Sequence, residues 1–213
     1  MNRIRIIFVV CMAMISATAV PDALHIDDRG AKLKQYYLGL NVENLWIAGQ
    51  HINWETGQAD NPDATHNIKT HCSSFVAAAC EKAGIYILRP PQHKQGLLAN
   101  AQYDWLLTRE AADNGWVLVT GNNIYETAQG YANKGYIVAA VCKNPDPHKP
   151  GHIALVMPAE ISLEKLSESG PRLIMAGSQN YNTVSLREGF RHHLDGWPEN
   201  SIRFYRNQKK PLP

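Results

Sequence analysis

Long apolar runs, clusters of like charge and paired-cysteine motifs are all missing from this 213-residue chain. Each absence removes a class of function. Net charge is +2 and no basic run exceeds the Lys209-Lys210 pair, so a polyanion is not the main partner and nucleic-acid binding is not expected. No apolar stretch reaches the roughly 20 residues that a spanning helix needs. There is no H-E-x-x-H or C-x-x-C unit. His51, His66, His71, Cys72 and His152 are ligand types without metal-site spacing, and Pro147 and Pro150 keep His148 and His152 off a common helix. No metal and no cofactor is therefore expected. Repeats, low-complexity tracts and Pro/Ser-rich linkers are also missing between Asp27 and Arg206, which predicts one continuous unit.

What is present begins with a leader. Arg3 and Arg5 precede an apolar stretch from Ile6 to about Ile15, and small residues end at Ala17-Thr18-Ala19. That order reads as a secretory signal over residues 1–19, leaving 20–213 as a single exported domain, periplasmic or secreted. The apolar stretch is too short for an anchor, so no stable membrane span is expected after its removal. Val10 before Cys11 is not the small residue of a lipoprotein site. Cleavage leaves Cys72, Cys80 and Cys142, an odd number in a compartment that can oxidise thiols, so at least one is unpaired.

Helical spacing is expected over residues 28–40, 71–83, 93–113 and 123–133, and short β-rich runs over 136–142, 152–157, 173–176, 183–187 and 202–205. Residues 49–70 are rich in Asn, Asp, Gly, Pro and His and read as a long loop, the kind that often carries function. Helices first and strands later predict an α+β fold with a mostly antiparallel sheet.

Within 71–83, HCSSFVAAACEKA, the thiol of Cys72 stands at the helix start, with Thr70 as a candidate cap. A helix N-terminus beside a cationic group lowers a thiol's pKa, making Cys72 the expected nucleophile. Cys80, two turns further in, reads as a small buried hydrophobe. His152 opens the strand HIALVMP, where alternation puts His152, Ala154 and Val156 on one face, and is the expected base. Cysteine–histidine systems commonly orient the imidazole with an acceptor. AGSQNYN at 176–182 supplies candidates: if extended, Ser178 and Asn180 share a face and Gln179 points away, and Asn180 is preferred.

THCSSFVAAACEKAG, GHIALVMP and GSQNYN, in that order over about residues 67–187, resemble NlpC-type cell-wall peptidases and CHAP-type amidases. The resemblance implies a papain-like α+β fold that cleaves amide bonds in peptidoglycan stems or related peptides through an acyl-thioester. It gives Cys72, His152 and Asn180 the nucleophile, base and orienting roles. Departures are specific: His71 stands for the usual Asp, Ser74 for the usual Gly, and of a Glu-x-Asn triplet only Asn180 is kept. No upstream Tyr is evident in 49–70, leaving the Cys72 N–H as the one oxyanion donor. Two alternatives stay open at this level: a noncatalytic binding or inhibitor module on the same fold, and acyl transfer by the same Cys–His pair. The sequence is silent on oligomeric state.

Overall fold

Asp27 starts the first helix by accepting the Gly30 N–H on its side chain at 2.8 Å, which stops the chain from continuing extended. This helix, α1 (Asp28–Gly39), follows a two-residue strand β1 (Ala23–Leu24). The computed structural model describes residues 22–61, 70–193 and 202–209. The expected leader and its cleavage site lie outside these residues, as does His66.

Within the segment expected to be a loop, β2 (His51–Ile52) and β3 (Ala59–Asn61) form a short antiparallel hairpin with a register shift beside His51. Its turn is built by Asn53, whose side-chain oxygen accepts the N–H groups of Glu55 and Thr56, both at 3.0 Å. Gly57 follows with φ +73°, and a Cβ there would lie 2.4 Å from the Trp46 ring.

Next come α2 (Cys72–Lys82), α3 (Leu98–Leu106), α4 (Arg109–Asp113), β4 (Trp116–Leu118) and α5 (Ile124–Asn133). The run expected to be one helical region, 93–113, is split because Thr108 caps a new helix, accepting the Ala111 N–H. Then follow β5 (Val138–Cys142), β6 (His152–Val156), β7 (Ile161–Ser162), α6 (Leu163–Ser169), β8 (Arg172–Met175), β9 (Tyr181–Ser185), α7 (Leu186–Gly189), a 3-10 turn (Arg191–His193) and β10 (Arg203–Asn207). The expected α+β class holds. Six strands form one antiparallel sheet in the order β4-β10-β5-β6-β8-β9.

Both faces of that sheet are covered, because β5 and β6 are apolar at every position but one and buried throughout. On one face Ile153, Leu155, Ala139 and Val141 pack with Cys72, Phe75 and Val76 of α2. On the other, Ala154, Val156, Ala140 and Cys142 pack with Ala128 and Ala132 of α5, Leu186 of α7 and Phe190. The alanines of α2 let its backbone approach the sheet closely, and Cys72 through Cys80 are all buried. Full burial of Phe75 alone is worth about 2–3 kcal/mol.

Asn133 ties the second layer to the chain start. Its amide donates to the carbonyls of His25 (3.1 Å) and Ala159 (2.9 Å), and its oxygen accepts from the Ala159 N–H (2.9 Å) and the Gln129 amide (3.0 Å). Every polar atom of this buried side chain is used. Among the described residues no helix is long and apolar enough to cross a membrane.

Candidate functional site

Cys72 is the first residue of α2, and its cap is His71 rather than the expected Thr70. His71 gives no side-chain cap, because its Nε2 lies 2.9 Å from the Gln50 carbonyl. The N–H groups at the helix start are thus left to the thiol. The N–H groups of Ile153 and Ser73 and the Ser73 hydroxyl lie beside the Cys72 sulfur and favour its charged form. Those donors pull its pKa down, but burial is the larger effect and raises it above the usual thiol value. The expected lowering by the helix terminus is overridden by desolvation: Cys72 is only 4% exposed.

A cleft of about 440 Å³ opens over this residue. Its walls are residues 50–52, the start of α2 from Thr70 to Ser74, residues 95–99, and Pro150-Gly151. Ser74, standing where the resembled families have Gly, donates its hydroxyl to Gln95 Oε1 at 3.1 Å. Gln95 in turn reaches the Ile52 carbonyl at 3.5 Å and so joins the helix start to the β2 hairpin. Asn100, just past residues 95–99, holds the segment ahead of Gly151: it accepts the Asn144 N–H at 3.1 Å and donates to the Lys149 carbonyl at 3.0 Å. Gly151 fits there because it has no side chain: a Cβ would lie 2.3 Å from the Cys142 carbonyl oxygen and 2.6 Å from Asn100 Oδ1.

His152 follows Gly151 and pairs across the sheet with Cys142. Its alternation is as expected, but the face is the one that α2 does not cover, since Ile153 and Leu155 pack on α2 instead. The imidazole meets Phe190 edge-on at 4.7 Å and stacks parallel to His193 at 5.2 Å. Its Nε2 is buried with no hydrogen-bond partner among the described residues. Burial first, and the nearby His193 second, push its pKa down to about 3. His152 and the Cys72 thiol form no hydrogen bond, and the imidazole is outside the cleft lining.

Asn180 follows a bend over residues 177–179 and lies outside any strand, so the expected sharing of a face with Ser178 does not arise. Its carboxamide is occupied by backbone: the oxygen accepts the Gly177 N–H at 3.0 Å, and the nitrogen donates to the carbonyls of Val42 and Leu45, both at 2.8 Å. It anchors the turn after α1 and makes no hydrogen bond to His152. Ser178 and Gln179 are exposed and do not orient that ring either.

One pair was not singled out from the sequence. His51, on the cleft wall, hydrogen-bonds through Nδ1 to the Asp60 carboxylate across the β2–β3 hairpin. The signal was an Asn-x-x-x-Gly turn, Asn53 to Gly57, between two short extended segments, which pairs His51 with Asn61 and, through the register shift, brings Asp60 to the His51 ring. Cys72, Cys80 and Cys142 are all buried free thiols, and burial raises Cys80 to about 12 and Cys142 to about 11. Among the described residues no three His, Cys, Asp or Glu side chains are placed to hold one metal ion. Compared with known proteins, the chain is matched by no family model and by no curated sequence, so the chemistry is read from this cleft itself.

Proposed function

We propose that the chain is an exported cysteine hydrolase that cleaves amide bonds, with peptidoglycan stem peptides as substrate and Cys72 as nucleophile. One observation carries the reading: a thiol at the first residue of a buried helix, on the wall of an open cleft, beside the N–H groups of Ile153 and Ser73 and the Ser73 hydroxyl. Such donors stabilise negative charge on sulfur as it develops, and an amide carbonyl in the cleft could come within reach of the same sulfur. A helix that presents its first residue to the margin of an antiparallel sheet supports the finer reading of a papain-like arrangement. A histidine takes the thiol proton. The sequence nominates His152, and the cleft itself holds His51.

The test is incubation of the protein with purified peptidoglycan, reading new amino groups and released stem peptides by mass spectrometry. Cys72→Ala should lose all turnover while its circular dichroism and melting temperature stay native. Turnover equal to wild type in that variant rejects the reading.

A second reading is favoured by a specific observation. Thiol and His152 imidazole are both buried, both neutral and not hydrogen-bonded to each other, as in a noncatalytic module on the same scaffold. Saturable binding to peptidoglycan without any new amine, undiminished in Cys72→Ala, would select it.

A further inference from the structure

We infer that His51, oriented by Asp60, is the acid–base partner of Cys72, and that the β2–β3 hairpin is a working part of the site. The inference rests on the reading of Cys72 as nucleophile. Three features of the cleft carry it. His51 and Cys72 line one and the same cavity, whereas His152 does not line it. The imidazole of His51 is held through Nδ1 by a carboxylate, which fixes the ring and the tautomer and leaves Nε2, without a hydrogen bond among the described residues, as the atom for proton transfer. The His51 side chain is 47% exposed and solvated, while His152 is buried and packed between Phe190 and His193.

Burial makes the need for such a group sharper. A thiol held neutral must give up its proton as it attacks, so the rate depends on a base present in the cleft. The Cys72 proton passes to His51 Nε2 while the sulfur–carbon bond forms at the amide carbonyl. The tetrahedral adduct expels the amine, which takes that proton from His51 as the carbon–nitrogen bond breaks. A water then attacks the thioester, His51 takes its proton, the carbon–sulfur bond breaks, and the proton returns to the sulfur. His71, the other histidine on this wall, has Nε2 at the Gln50 carbonyl and so lacks that atom for the transfer. Asp60 is a positioning residue, acting through His51.

The experiment measures alkylation of Cys72 by chloroacetamide at pH 7 in the full folded chain, read by mass spectrometry at that residue, with peptidoglycan turnover measured in parallel. His51→Ala should slow alkylation about tenfold or more, and turnover, where general base catalysis is worth roughly 10²–10⁴-fold, by more. Added imidazole should restore part of both. His25→Ala, on the exposed surface near Glu160, should match wild type. Asp60→Asn should slow alkylation and Asp60→Glu should largely keep it. Wild-type alkylation in His51→Ala, or a loss confined to His152→Ala, overturns the inference while leaving Cys72 as nucleophile. Wild-type turnover in Cys72→Ala rejects the hydrolase reading itself.

Discussion

Desolvation sets the protonation of the two groups that the sequence paired. For Cys72 the charged form is the thiolate and burial raises the pKa; for His152 it is the imidazolium and burial lowers it to about 3. A histidine whose folded pKa lies below its unfolded value of about 6.5 binds fewer protons folded than unfolded across that interval. Stability is therefore full above pH 6.5 and falls as pH drops toward 3, with a limiting slope of about 1.4 kcal/mol per pH unit for one proton. His193, also lowered by burial, adds in the same direction. His152→Gln should flatten the fall of urea-unfolding free energy between pH 6.5 and 4 relative to wild type. Parallel curves would show that the imidazole is not neutral in the folded state. Cys72 and His152 were nominated from the sequence, but their protonation was not legible there, because it depends on how deeply each is buried.

Elements with a long period were legible and short ones were not. The helices at 28–39, 72–82 and 124–133 came close to their expected ends because each carries several turns of patterned apolar residues. Strands β1 and β7, two residues each, and the three-residue edge strand β4 hold no period to read. The alternation of β6 was legible as well, but which of its faces would meet α2 was not. That choice is made by how the chain crosses the sheet, and it separates His152 from the cleft. The hairpin carrying His51 was hidden by a register shift at the residue that matters.

At this scale Asn180 acts as a clamp between the β8–β9 connection and the turn at Val42–Trp46. Asn180→Ala strips two carbonyls of their 2.8 Å donors and should lower unfolding free energy by about 1–3 kcal/mol. Denaturant titration measures it. A variant that melts like wild type but shows an altered pH profile of turnover would return Asn180 to the reaction.

For the molecule as a whole, no covalent crosslink among the described cysteines supports the fold; the two-sided packing of one sheet does. A disulfide would constrain the unfolded chain and add a few kcal/mol that reductant removes. Here the melting temperature should be the same with and without dithiothreitol, and thiol titration should find Cys72, Cys80 and Cys142 after unfolding in guanidinium. A drop in melting temperature on reduction would mean that two of them pair in solution.

Two glycines of the cleft lining differ in how much change they permit. At Gly151 any larger residue drives into the Cys142 carbonyl and Asn100, so that side is rigid to substitution. Gly96, on the same lining, has open space where a Cβ would go, and Leu97 beside it is already 41% exposed. Side chains can be added at position 96 without disturbing the scaffold that holds Cys72. Residue 96 is thus where the shape of the cleft can drift or be engineered, and position 151 is where it cannot.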